Sequence, residues 1–369
     1  MGIKMKITKE QLYIRQTTLN EVGKKGQQRI LQTHVVVIGC GGLGSAAAVY
    51  LAASGVGNMH LVDYDVVDPS NLHRQVFYTT KDVGKSKVSI LSNHITTISP
   101  FVKVSTTNKA VAKENVFDII SKADYVLDCT DSLPIKYLIN DACVLKGIPL
   151  IYGSLYKFDG YVASFNIKTS EASYSANLRD AFPEISKEAI PNCSEIGTLN
   201  TIVGIIGVLQ ANEVLKMITG TGKALVNQLL IYNSLENSQY KMKLKKAVSR
   251  EKVQRIFEAD NYLDLNCEIQ DESLLISAKT LRQKLSFGEA SQKLHIISVI
   301  ENSNVKHPFE VHQKIPLSKF KMIELNFDKN NEYVIVCNKG ISSYIATQKI
   351  KAVHPHLNVL SLKNGIINY

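Results

Sequence analysis

The sequence contains no cysteine pair spaced Cys-x-x-Cys: Cys40, Cys129, Cys143, Cys193, Cys267 and Cys337 stand apart, with no regular framework. A disulfide-stapled scaffold is excluded on that ground, and free thiols in a reducing cytoplasm are expected. Nor is there an unbroken apolar run of the ~20 residues that cross a bilayer. The longest, Leu199 to Leu209, is interrupted by Asn200, Thr201, Gly204 and Gly207. No transmembrane helix and no membrane partner are expected. The first ten residues mix lysines with single apolar side chains and lack the apolar centre of a leader peptide, so secretion is not expected either. Internal repeats and low-complexity tracts are also missing.

What is present is a chain of 369 residues, 45% hydrophobic and 21% charged, enough for about two domains with buried cores. Intrinsic disorder is excluded. The net charge of +10 is unevenly spread. Residues 1–240 carry 23 basic and 20 acidic groups, whereas 241–256 hold seven basic groups (Lys241, Lys243, Lys245, Lys246, Arg250, Lys252, Arg255) against Glu251 alone. Such a local patch does not describe a nucleic-acid surface. It fits either attraction of an acidic protein partner or a strand edge protected by lysines.

From Leu31 onward, strands alternate with helices. His34 to Ile38, Met59 to Asp65, Val102 to Thr106, Tyr125 to Cys129 and Pro149 to Tyr152 read as strands, with helices at Ser45 to Ala53, Lys85 to Ile98 and Pro134 to Lys146. This βαβ series predicts a mainly parallel, Rossmann-like α/β sheet. Gly160 to Ile167 and Gln228 to Leu244 alternate like an antiparallel extension, and Thr198 to Ile218 reads as a long buried helix. These elements define a first domain over 1–246. The polar stretch 247–272 reads as a linker, and 273–369 as a smaller α/β domain.

Gly39-Cys40-Gly41-Gly42-Leu43-Gly44 lies between the first strand and the first helix of this series. Glycines there permit a tight turn and close approach of backbone to phosphate, and the N–H groups at the helix start attract its charge. Asp63 follows Gly44 by 19 residues, at the end of the next strand, where an acid accepts from a ribose hydroxyl. A dinucleotide oxidoreductase needs little more than this turn. Here, however, Asp63 to Gln75 (DYDVVDPSNLHRQ) packs acids, an amide and a guanidinium into one loop, Lys85 and Lys87 follow, and a strand ends in Asp128-Cys129-Thr130-Asp131. Cations for several phosphate oxygens and a carboxylate for magnesium are the requirements of ATP-consuming phosphoryl or adenylyl transfer.

At these residues the chain resembles the MoeB/ThiF family, relatives of the ubiquitin-activating enzymes. The matching segments are Tyr13 to Gln16, Gly39 to Ser45, Asp63 to Gln75, Asp82 to Lys87, Asp128 to Asp131 and Asn192 to Gly197. The resemblance implies that ATP adenylates the C-terminal glycine of a small β-grasp, ubiquitin-like sulfur carrier ending in Gly-Gly, preparing it for thiocarboxylate formation. Gly39, Gly41, Gly42 and Gly44 would then cradle phosphate, and Asp63 would bind the ribose with Asp65 on its ribose or metal side. Asn71, Arg74 and Lys87 would hold the phosphates, Gln75 would shape the loop, and Asp131 would carry magnesium. Arg15 would reach into the neighbouring subunit of a homodimer. Ser132 departs from the family's usual Asn, and Lys136 from a frequent Arg. The cysteine pairs that bind structural zinc in many members are replaced by Ser173 to Asn177 and Lys245 to Ser249, so no zinc site is expected.

The second domain resembles a rhodanese-like module. Cys337-Asn338-Lys339-Gly340-Ile341-Ser342-Ser343 lies between a strand and a helix, a position that favours thiolate and suits a persulfide carrier loaded by a sulfur donor. The usual Asp-Val-Arg reads Ser298-Val299-Ile300, and the loop lacks arginine. A degenerate docking module therefore stays open, and with it a non-catalytic carrier-binding role for the whole chain. Cys193 matches a cysteine that forms a thioester or disulfide with the carrier in some members; a small residue at a helix start is the alternative.

Overall fold

The computed structural model describes residues 7–171, 173–183, 197–260, 262, 271–286, 293–300, 305–317, 327–338 and 340–369. The chain divides near residue 263 into two compact units.

In the first unit, α1 (Lys9–Thr17) starts at a capping box in which Thr8 and Gln11 exchange side-chain and backbone bonds, and α2 (Gly23–Gln32) follows. Then come β1 (His34–Ile38), α3 (Gly42–Ala53), β2 (Asn58–Val62), α4 (Lys87–Ile98), β3 (Lys103–Thr107), α5 (Val116–Ile120), β4 (Tyr125–Asp128), α6 (Leu133–Lys146), β5 (Leu150–Tyr156) and β6 (Asp159–Phe165). A small ribbon, β7 (Lys168–Ser170) with β8 (Ser173–Tyr174), precedes α7 (Leu178–Ala181), α8 (Asn200–Thr219), β9 (Gln228–Asn233), β10 (Ser238–Lys243) and α9 (Arg250–Ala259).

Eight strands form one sheet in the order β10-β9-β6-β5-β4-β1-β2-β3, parallel from β3 to β5 and antiparallel beyond. Both faces of the parallel part are covered, so β1 is apolar throughout: Val35 and Val37 join the core with α3 and α8, while Val36 and Ile38 join the core with α5 and α6. Ile38 is level with Val62 of β2 on one side and Asp128 of β4 on the other. The three strands therefore release Gly39, Asp63 and Cys129 side by side, at the point where strand order reverses and α/β sheets hold ligands. Helix α8 is apolar and long enough to cross a membrane by length and composition, but half of it is buried in packing against α3, β5 and β6.

The stretch 247–272 is not simply a linker. It carries α9, started by Ser249 Oγ accepting the Lys252 N–H and seated on α6 through buried Val253 and Phe257. Its large apolar side chains, Val253, Ile256 and Phe257, stand at i, i+3 and i+4, a helical stripe only one turn long among charged neighbours. The helix belongs to the first compact unit.

The second unit has β11 (Leu275–Ile276), α10 (Ala278–Ser286), β12 (Leu294–Ser298), β13 (Gln313–Lys314), β14 (Glu332–Val336), α11 (Ile341–Val353) and β15 (Asn358–Leu362). Its sheet is parallel throughout, in the order β11-β15-β14-β12-β13, with separate apolar clusters on its two faces.

Candidate active site

Gly39 leaves β1 with φ +89°, and a Cβ there would stand 2.8 Å from the Cys129 carbonyl oxygen; at Gly44 a Cβ would collide with the Gly39 carbonyl. Only glycine permits this close apposition of strand end and helix start. The free N–H groups that open α3 thus face a concave turn, as a phosphate requires.

Asp63 pins this turn. Its carboxylate accepts the Cys40 N–H at 2.6 Å and the Asp65 N–H at 2.9 Å. Burial pushes its carboxyl above the ordinary aspartate value, against the opposing pull of Lys87 and those N–H donors. Lys87, buried at the start of α4, donates from Nζ to Asp65 Oδ2 at 2.8 Å. Two acids and one cation are thereby gathered at the rim of the turn. Tyr78 Oη donates to the Cys40 carbonyl at 2.6 Å, and Gln75 is buried with its Oε1 lacking a partner. An orphaned buried acceptor beside the turn is what a site shaped around a nucleotide leaves open. Arg74 donates from Nη1 to the Ser70 carbonyl at 3.1 Å and stands beside His73, with Asn71 one turn earlier in the same loop.

Asp131 lies three residues beyond β4, exposed and without hydrogen bond or ion pair among the described residues. A lone carboxylate at the edge of a phosphate cradle is a donor set that magnesium accepts, since that ion takes one or two carboxylates and fills its remaining positions with phosphate oxygens and water. Ser132, next to it, caps α6 by accepting the Ile135 N–H at 3.4 Å, so the departure from Asn leaves the helix start intact. Arg15 is exposed on α1, while its neighbours Tyr13 and Gln16 turn inward; Gln16 Nε2 donates to Gln27 Oε1 at 2.6 Å and to the Ser54 carbonyl at 3.0 Å.

Sequence reasoning missed a buried ion pair beneath Asp131. Lys136 Nζ lies 3.2 Å from both carboxylate oxygens of Asp128, and burial, which alone would depress the ammonium, is outweighed by Asp128 and Tyr152, so its pKa is raised. Lys136 drew notice in the sequence only as a replacement for Arg; its partner eight residues earlier passed as an ordinary strand-end acid. Cys40, Cys129 and Cys143 are free and fully buried, and burial raises all three thiols. Cys193 lies outside the described residues.

The two segments that stand where many family members pair cysteines approach each other: Lys246 Nζ donates to the Tyr174 carbonyl at 3.0 Å, and Asp180 Oδ1 accepts the N–H groups of Ala247 and Val248 at 2.7 Å each. Among the described residues no group of three or more His, Cys, Asp or Glu stands in a metal-binding arrangement.

In the second unit Cys337 follows β14, and Gly340 (φ +88°) caps α11. The Cys337 sulfur accepts the N–H groups of Gly340 at 3.1 Å and Ser343 at 3.3 Å, with Ser343 Oγ also 3.3 Å away. Ser361 Oγ donates to Ser343 Oγ at 2.9 Å, which leaves the Ser343 hydroxyl proton free for the sulfur. Three donors converging at a helix start suit a sulfur that carries negative charge.

The ThiF family profile matches residues 13–253. A sulfur carrier protein adenylyltransferase of Thermus thermophilus is 41% identical over 245 residues, covering 66% of this chain and 90% of that protein. A probable adenylyltransferase/sulfurtransferase MoeZ of Mycobacterium tuberculosis is 32% identical over 365 residues, covering 96% of this chain and 91% of its own. Among solved structures, E. coli MccB with MccA-N7isoASN aligns over 65% of this chain and 73% of that one, with a TM-score of 0.56 at 21% identity. That last likeness speaks for the fold.

Proposed function

Because the chain belongs to the ThiF family, we propose that it uses ATP to adenylate the C-terminal glycine of a small ubiquitin-like sulfur-carrier protein, and that its second unit serves the sulfur transfer that follows. The observation that carries the reading is the convergence of the Gly39–Gly44 turn, Asp63, Lys87 and Asp131 at the level ends of β1, β2 and β4. The relatives named above support it, since MoeZ is similar across both units of this chain.

The carrier's terminal carboxylate attacks the α-phosphorus, forming a C–O–P bond as the bond to the bridging oxygen breaks and the electron pair leaves with pyrophosphate. Proton transfer is not needed, so catalysis rests on position and charge. Asp63 receives the ribose hydroxyls, while Asn71 and Arg74 from the loop and Lys87 from α4 meet the phosphates. Lys87 comes preplaced by Asp65. Arg15, turned away from its own unit, serves the site of a second copy in a homodimer. Asp131 would hold magnesium, which supplies neutralising charge at the departing phosphates.

The resulting acyl-adenylate is a mixed anhydride. A sulfur donor loads Cys337 as a persulfide, whose terminal sulfur attacks the anhydride carbonyl and expels AMP. Cys193 then attacks the Cys337 sulfur, releasing thiocarboxylate and leaving a Cys193–Cys337 disulfide for a cellular thiol to reopen. This chemistry belongs in the cytoplasm and uses no structural zinc, the Lys246 and Asp180 bonds standing at those two segments instead.

The test is ATP–pyrophosphate exchange with purified protein and a β-grasp carrier ending in Gly-Gly. Exchange that depends on the carrier's last glycine is expected. Nucleotide binding without exchange would leave only a carrier-binding module.

A further inference from the structure

The Asp128–Lys136 pair has a position that stability alone does not explain. Both side chains are almost completely buried, and exchanging such a pair for apolar residues is often neutral or stabilising. What the pair touches is more telling. Lys136 Nζ donates to both Asp128 oxygens and to the Gly153 carbonyl at 2.8 Å, tying the end of β4 to β5. Asp128 Oδ1 in turn accepts the N–H of Thr130 at 3.1 Å and its hydroxyl at 2.8 Å. From the opposite layer, Gln210 on α8 donates to the carbonyls of Asp128 at 2.9 Å and Ile151 at 3.2 Å, while its Oε1 accepts from the Cys129 thiol at 3.5 Å.

Residues 128 to 130 are thus held from α6 and from α8, whereas the side chain of the next residue, Asp131, has no hydrogen bond or ion pair among the described residues. We infer that Lys136 is a positioning residue for adenylation: through Asp128 and Thr130 it fixes the loop from which Asp131 reaches toward the magnesium of the nucleotide. The inference rests on the adenylation reading above. The side chain never meets ATP; it sets where a carboxylate stands, and a misplacement of about 1 Å at such a group costs on the order of 100-fold in rate.

Lys136→Met alone strands a buried carboxylate, so the informative variants are the double exchange Asp128→Asn with Lys136→Met, the conservative Lys136→Arg, and Thr130→Val, which removes one bond of the chain and leaves the ion pair whole. In the double variant the backbone amides of 129–132 are expected to exchange hydrogen at least about tenfold faster, and kcat for pyrophosphate exchange to fall about 100-fold with KM for ATP within about threefold. The magnesium concentration for half-maximal rate should rise. Lys136→Arg, with Asp128 in place, should keep all three near wild type, and Thr130→Val should lower kcat about tenfold in a fully folded protein. Unchanged amide exchange in the double variant, or wild-type kcat and magnesium dependence in Thr130→Val, would overturn the role. Wild-type protein without any pyrophosphate exchange would instead sink the adenylation reading, and the amide measurement would still decide whether Lys136 orders the loop.

Discussion

Asp63 accepts the backbone N–H of Cys40 at 2.6 Å, so the acid expected to meet a ribose is also the group that fastens the phosphate-binding turn to the end of β2. Both roles favour the carboxylate, and burial, which favours the neutral carboxyl, opposes them.

A pH dependence follows, with its sign set by that upward shift. The folded chain binds the Asp63 proton more tightly than the unfolded chain, so this group's contribution to stability is full below about pH 4 and is lost as pH rises through its elevated folded value. ATP affinity should change the other way across the same window. Asp63→Asn keeps an oxygen for the Cys40 N–H but cannot titrate, so the variant should lose that slope, the difference between wild-type and variant unfolding free energies should itself vary with pH across this window, and ATP should bind about 10- to 100-fold more weakly. Denaturant titrations and ATP binding from pH 4 to 8 check both. A variant with the wild-type slope would place the titration on another carboxylate.

Arg15 and Asp131 lead to a mixing experiment. Both are exposed, with side chains free of partners among the described residues, so Arg15→Ala and Asp131→Ala should each unfold within about 0.5 kcal/mol of wild type while losing pyrophosphate exchange. If Arg15 serves the partner's site, co-refolding equal amounts of the two variants yields hybrid dimers with one intact site each, and about a quarter of wild-type activity returns. Inactive mixtures would put Arg15 in its own site.

The readable and unreadable parts of this site differ in the distance over which they act. The glycine turn, Asp63 and the Cys337 loop are signalled by neighbours in sequence, because a turn between strand and helix is a local problem with few solutions. The ties Lys87–Asp65, Lys136–Gly153 and Gln210–Asp128 join residues 22, 17 and 82 positions apart. Nothing in local pattern marks such partners; only the packing of α4, α6 and α8 against the sheet makes them neighbours. Helix α9 was hidden for a related reason, since Val253 and Phe257 become a core contact only once α6 lies beneath them.

Thiol reactivity should sort the cysteines. Burial raises the thiols of Cys40, Cys129 and Cys143, and the thiolate is the reactive form, so iodoacetamide at pH 7.5 should label these three at least about 100-fold more slowly in the folded protein than in urea. Peptide mass mapping over time measures it. Fast labelling of Cys129 would mean that the loop 128–131 opens readily, contrary to the ties described above.

The two chemical halves of the protein should come apart at Cys337. Adenylation uses the first unit, whereas the sulfur step needs the sulfur toward which Gly340, Ser343 and, through Ser343, Ser361 direct their donors. Without the loop arginine, this cradle of N–H and hydroxyl groups is what remains to hold a persulfide, so Ser343→Ala should slow the sulfur step and leave the first step alone. Cys337→Ala should abolish it, with carrier-dependent pyrophosphate exchange at the wild-type rate. Carrier, ATP, magnesium and a persulfide donor are incubated with each variant, and the carrier is weighed by mass spectrometry. Replacement of one oxygen by sulfur adds ~16 Da, as expected when a persulfide attacks the activated carbonyl. That gain should appear with wild type, fall with Ser343→Ala and vanish with Cys337→Ala. If Cys337→Ala produced it at the same rate, sulfur would have to arrive from another protein directly, and the donors gathered around Cys337 would be holding a fold rather than a reactant.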